Sequence, residues 1–480
     1  MTNRSIKIND LLSGILLVFA LIVFVIGLAS MDTDWLFWAV ITMWLCMLIK
    51  NLRRDSFTVL AFLISFFAFL IGALLVKHFD SSVALRFSSD DAMHHTLISL
   101  FIALAFVDLG TYIANKVKFK TSEIKFPGSG DITRIQKASK SVYIFTAAFA
   151  ILISIEKCVY VILSGSYTSY YINFSSVFPS FFTRIADMSE FAFFIFLATM
   201  PEPRKNKIPF IIFFTTGVLG LLYGQRNQIV MAVIMLGVYF ILYENFSGEK
   251  YSIIKRKYYF IAAIALPFVM IFLEYFMYVR DSLDYSYGGI WASFKHMLTS
   301  LGGSVNVIGQ GYELKESFPK GHFYSLGGVI DFITKNELLR PFLGTKVYQG
   351  NTIEMALYGN SYGQTITYLG WGPTLYLAGR GMGSSFIAES YHDMGYIGIM
   401  LFSIVYGVIL KSANNLKEGH YVKNAIVLIS LYHIIYAPRD SAGAFISSYF
   451  NFSFIFTLII IGFVSRIMKP RQQISIGIEE

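Results

Sequence analysis

Runs of apolar residues about long enough to cross a bilayer recur along this chain, near 11–30, 35–49, 56–76, 96–115, 141–163, 180–200, 208–223, 229–243, 258–278, 394–411, 424–437 and 446–465. In lipid the backbone must satisfy its own polar groups, and continuous apolar runs of this length do so as helices. The expected fold is an all-α polytopic membrane protein with about twelve transmembrane helices. Composition agrees: 55% of residues are hydrophobic and only 14% charged, where soluble domains carry about a quarter charged residues. The first run lacks a small-residue cleavage site, so it is expected to stay as a helix and not to be removed as a signal peptide.

A formal charge of +9 would suit a nucleic-acid partner if the basic residues formed a patch. They lie instead in short loops between apolar runs, where they set orientation, so nucleic-acid binding is not expected. With the N-terminus in the cytoplasm, Lys50, Arg53 and Arg54, the stretches 116–140, 204–207, 250–257 and 411–423, and Arg466 to Arg471 all fall inside. The short outer connections at 31–34, 224–228 and 438–445 hold one arginine or none. The two cysteines, Cys46 and Cys158, sit inside apolar runs and argue for neither a disulfide framework nor a thiolate metal site.

This scheme leaves residues 279–393 as one long outer loop, too long for a simple connection. The domain division is thus 1–278, 279–393 and 394–480. Within the loop Ile290, Phe294, Met297, Leu298 and Leu301 recur at helical spacing, and glycine pairs punctuate the rest. A folded cap of short helices on the bilayer surface is expected. No internal repeat of the kind that builds many transporters is evident.

Arginines on the outer side are exceptions to the positive-inside bias, which makes them informative. Arg226 lies in the tight Gly224-Gln225-Arg226-Asn227-Gln228 hairpin, Arg280 directly follows an apolar run, and Arg439 lies in Pro438-Arg439-Asp440-Ser441. Three guanidiniums at one depth suit a lipid diphosphate, because the planar fork matches paired phosphate oxygens. The plain alternative is arginines snorkelling from helix ends to water and headgroups. The loop ends in Gly379-Arg380-Gly381-Met382-Gly383-Ser384-Ser385, which reads as a glycine turn followed by a serine N-cap. A helix from Ser385 would put Ser385, Glu389, His392 and Tyr396 on one face. Glu389 or His392 is of the right type to take a proton from a sugar hydroxyl; alternatively Glu389 caps the helix or pairs with Arg380. The glycines match no nucleotide fingerprint.

Trp371 and Tyr391 stand out as candidates for contact with a glycan, although an aromatic belt at headgroup level gives similar enrichment. Charges inside the runs, such as Asp108, Glu156, Lys157 and Glu190, should face the protein interior. Asp32-Thr33-Asp34 supplies too few oxygen ligands for a cation, and His94-His95 have no ligand partner in view. Neither a metal nor another cofactor is expected.

Taken with the topology, the Gly-Gln-Arg hairpin at 224–226, the large late loop, the Gly-x-Gly-Ser-Ser-Phe-Ile-Ala-Glu-Ser-Tyr run at 381–391 and the Pro-Arg-Asp-Ser segment at 438–441 make the chain resemble the O-antigen polymerase (Wzy-type) family. The resemblance implies a multi-spanning, GT-C-like glycosyltransferase in the bacterial inner membrane. It implies transfer of a glycan chain from undecaprenyl diphosphate to a hydroxyl of a new lipid-linked repeat unit, on the periplasmic face and without nucleotide. The implied site comprises Glu389 and His392 as catalytic groups, with Arg226, Arg280, Arg380, Arg439, Trp371 and Tyr391 binding diphosphate and glycan. The implied partners are the undecaprenyl-diphosphate-linked oligosaccharide and membrane lipid, with a chain-length regulator and a flippase as further candidates. An O-antigen ligase shares these features. A flippase would instead need a cationic cavity at mid-membrane depth.

The orientation has a direct test. Of single cysteines placed at Lys320 and Lys125, an impermeant thiol reagent applied to intact spheroplasts should label the first and spare the second; the reverse pattern would overturn it.

Overall fold

A computed structural model describes residues 3–52, 56–116, 132–164, 167–248, 268–269, 271–272, 275–276, 288–335, 340–348, 350–416 and 420–468. Helix dominates these residues and no strand occurs among them. The principal helices are α1 (Asn3–Ser30), α2 (Thr33–Asn51), α3 (Phe57–Phe79), α4 (Asp90–Lys116), α5 (Ile132–Ser164), α6 (Ser180–Ala198), α7 (Lys207–Leu222) and α8 (Arg226–Ser247). They continue as α9 (Ile290–Leu301), α10 (Ser304–Glu313), α11 (Gly327–Thr334), α12 (Tyr362–Leu377), α13 (Phe386–Ser412), α14 (Tyr421–Tyr436) and α15 (Phe452–Ile467). Each predicted apolar run falls on a helix, except that most of 258–278, and Arg280, lie outside the described residues. Among the described residues, seven helices are long and apolar enough to cross a membrane, and α7 and α15 are shorter apolar helices.

The outward faces explain why such helices need lipid. Along α1, Leu11, Ile15, Val18, Ile22 and Val25 are all exposed and recur at helical spacing, and Phe456, Ile459 and Phe463 do the same on α15. Apolar stripes this long on a rim are stable only against hydrocarbon. This is the architecture of a polytopic membrane protein.

Inside, α4 and α13 pack most closely. Gly110 and Gly407 meet backbone to backbone, and a methyl group on either would overlap a main-chain atom of the other helix. Small residues that let backbones approach are the usual means of helix association in membranes, where apolar burial supplies no preference between lipid and protein. Asp108, one of the charges expected to face inward, is held by Lys50 of α2, with Nζ 2.7 and 2.8 Å from the two carboxylate oxygens. A pairing of this kind removes the cost of an isolated charge in a low-dielectric interior.

Helix α3 contains a π-helical segment, Phe67–Ile71, a deformation that often marks a functional region. The loop helices dock here. Leu298 of α9 packs on Gly72, and Gly302 lies against Ala73, while Lys295 bridges to Asp80 at 2.8 Å. The loop therefore does more than lie on a surface: α9 runs alongside the end of α3, and α10 packs against α4 and α13.

Enlarging the contact at the helix crossing tests this packing. Gly407→Leu should lower the melting temperature in detergent, by a destabilisation of about 1–3 kcal/mol. Gly14→Ala, where the added carbon meets nothing within 4 Å, should leave it unchanged.

Candidate functional site

Ser385 occupies the N-cap position of α13 with extended backbone (φ −152°, ψ 135°), yet its hydroxyl makes no capping bond. Glu389 is 3% exposed and accepts three hydrogen bonds: from Ser384 Oγ at 2.6 Å, Ser441 Oγ at 2.7 Å and the Ala442 amide at 2.9 Å. It thus joins the glycine-rich turn before α13 to the turn that carries Arg439. No bond links Glu389 to Arg380, whose side chain is exposed and makes no hydrogen bond or ion pair among the described residues.

Arg439 is half-buried. Its Nη1 donates to Leu301 O at 3.3 Å and Ser304 Oγ at 3.5 Å, spanning the joint between α9 and α10. The guanidinium lies 5.7 Å from the ring of Phe69 in the π segment of α3. Arg439 and Asn227 both hydrogen-bond the Tyr436 side chain, which brings the hairpin containing Arg226 to the same region. That hairpin is fixed internally: Tyr223 donates to Gln228 Oε1 at 2.9 Å, and Gln228 Nε2 donates to Gln225 Oε1 at 2.6 Å. Beside Arg439, burial pushes the Asp440 carboxyl above the usual aspartate range, against the opposing bond from the Ser441 amide.

Of the predicted common face of Ser385, Glu389, His392 and Tyr396, the last member is displaced. The helix is broken at Gly395 (φ 61°, ψ −152°), a conformation open to glycine at little cost, so Tyr396 falls out of register. Glu389 lies under the 438–442 turn, whereas His392 packs among Phe318, Tyr324 and Tyr362, at ring distances of 4.7, 5.0 and 5.9 Å. Tyr391 instead faces His95, 4.1 Å between ring centres. His95, for which the sequence offers no ligand partner, is thereby part of the site.

Trp371 is covered by the guanidinium of Arg86 at 4.6 Å, and its indole Nε1 has no hydrogen-bond partner among the described residues. Arg86 belongs to the turn between α3 and α4, which α10 holds firmly. Asn306 Oδ1 accepts from the Arg86 amide at 2.9 Å, and Gln310 Nε2 donates to its carbonyl at 2.7 Å. Glu313 accepts from the amides of Ser88 and Ser89; burial opposes its charge, but these bonds hold its carboxyl below the usual glutamate range. The motif-based reading passes over Arg86, although the positive-inside argument points to any arginine in that outer turn. At the acidic pair in the first turn, Asp32 serves as the N-cap of α2 and accepts from the Asp34 amide at 2.8 Å.

A helical membrane protein whose late glycine-rich turn and arginine turn meet at one buried carboxyl group is the setting in which the sequence comparison falls. The O-antigen polysaccharide polymerase Wzy family model matches residues 13–472, and the chain belongs to that family. No curated protein and no solved structure matches it.

Glu389→Ala should orphan buried donors in both turns and destabilise the protein by about 2 kcal/mol or more, read as a lower melting temperature in detergent. Arg380→Ala should leave that temperature unchanged. Equal melting of the two variants would show that the Glu389 joint does not hold the turns.

Proposed function

We propose that this chain polymerises O-antigen or a related surface polysaccharide. It transfers a glycan chain from undecaprenyl diphosphate to a hydroxyl of a new lipid-linked repeat unit, at the periplasmic face of the bacterial inner membrane. Family membership supports the polymerase reading. The observation that carries the site is the Glu389 joint, which seats the Arg439 turn against the start of α13. In this reading about twelve helices span the membrane in a GT-C-like arrangement, between an N-terminal part (1–278), the periplasmic cap (279–393) and a C-terminal part (394–480).

The acceptor hydroxyl oxygen attacks the anomeric carbon of the donor glycan, and the bond from that carbon to the diphosphate breaks. The hydroxyl proton passes to a base, and undecaprenyl diphosphate departs with the electron pair. Charge develops on the diphosphate, so fixed cationic donors contribute most. Arginine has five N–H donors, and Nη1 of Arg439 alone serves Leu301 and Ser304, which leaves others for phosphate oxygens. Arg226, Arg280 and Arg380 are the further arginines proposed to contact the diphosphate. Glu389 is buried and triply bonded, so it acts as a positioning residue for the Arg439 turn. His392, with no hydrogen bond on its ring among the described residues, is the group suited to receive the proton.

Purified protein supplied with the lipid-linked repeat unit in detergent should build a ladder of products without a vesicle or gradient, and Arg439→Ala should slow it by about 30- to 1000-fold, the loss of one charge-assisted pair at a developing charge. A strain lacking the protein should carry single capped repeats. Bare core in that strain, or no ladder in vitro, would reject polymerisation in favour of ligation or transport.

A further inference from the structure

Beside the break in α13 lies a cavity of about 260 Å³, smaller than the roughly 300–1,000 Å³ of sites that take drug-sized ligands. Its walls come from α4, α10, α12 and α13. His95 and Tyr312 stack with ring centres 4.4 Å apart and planes 15° apart, Tyr391 closes on His95, and His392 and Tyr362 form the opposite wall. His95 is fixed by a 3.1 Å hydrogen bond between Nδ1 and the Tyr396 hydroxyl. Lys315 and Glu316 also line the cavity, with the Lys315 ammonium 4.4 Å above the Tyr312 ring. The side-chain polar atoms of Tyr312, Tyr391 and His392 form no hydrogen bond among the described residues. A carbon added at Gly395 would meet nothing within 4 Å, so the break in the helix leaves open space beside it.

Aromatic faces flanked by unspent donors and acceptors suit one kind of guest. A pyranose ring presents weakly positive C–H groups to the negative face of an aromatic ring and a ring of hydroxyls to convergent polar side chains. A lipid tail would waste those polar groups, and a diphosphate would find a single lysine beside a glutamate.

We infer that this cavity is a carbohydrate subsite that seats one sugar ring of the acceptor glycan between Tyr312, Tyr391 and His392. The inference rests on the polymerase reading for the identity of the glycan, and it makes a prediction in the absence of turnover. The probe is the lipid-free repeat-unit oligosaccharide, released by mild acid from the lipid-linked pool of the producing cells. It should bind the detergent-purified full chain in saturation-transfer NMR. Tyr391→Ala should weaken binding about tenfold through lost stacking, Tyr391→Phe should do so less than threefold, and Arg439→Ala should leave it unchanged while turnover falls. On the wild-type chain, bound oligosaccharide should protect Tyr312 and Tyr391 from hydroxyl-radical oxidation and leave Tyr358, 61% exposed, unprotected. This footprint decides the matter even if Tyr391→Ala fails to fold. No binding to the wild-type chain, or binding without protection of Tyr312 and Tyr391, overturns the subsite. Binding with protection but no ladder from the lipid-linked unit sinks polymerisation and leaves the subsite standing.

Discussion

The carboxylate of Glu389 is the constraint on which the rest of the site depends. A buried carboxyl group is stable only if its lone pairs are met by well-placed donors, and here they come from two segments far apart in the chain, at Ser384 and at Ser441–Ala442. Satisfying this one group therefore fixes a long-range geometry. The turn after α14 cannot shift without uncovering the charge, so Arg439 keeps its hold on the joint between α9 and α10. Through that joint the position of the loop helices is tied to the start of α13.

The loop is knitted to the bundle by polar groups as much as by apolar ones. Asp393 accepts from the amides of Tyr324 and Ser325, Glu313 from those of Ser88 and Ser89, and Lys295 pairs with Asp80. Each bond joins a loop segment to a helix end or an interhelical turn. Apolar contact would hold these parts without fixing their register, whereas hydrogen bonds to specific amides choose one arrangement.

Much of the fold was legible because hydrophobicity over about twenty residues is a strong, local signal: the runs at 11–30 and 96–115 lie on α1 and α4. The motifs at 224–228, 381–391 and 438–441 also pointed to segments that do meet, although nothing in the sequence says that Glu389 is what joins the last two. The partner relations were harder to read. Placing Tyr396 on the face of Glu389 and His392 assumed an unbroken helix, and glycine at 395 gives no sign in sequence of whether it will adopt positive φ. Arg86 was passed over and His95 set aside because their significance lies in neighbours more than two hundred residues away, Gln310 and Tyr396 among them. Arg280 lies outside the described residues.

The grip of Arg439 on Leu301 carries a consequence for how the molecule is made. The two residues are 138 positions apart, and a ribosome adding about 5–20 residues per second needs on the order of ten seconds to cover that interval. During this time the nascent cap has left the ribosome without the residue that pins its first joint, and the serine that meets Glu389 from the far side does not yet exist. The latch is delivered last, so assembly of the site is a late event in biogenesis, and a chain stalled before residue 439 would present membrane helices with an unlatched cap.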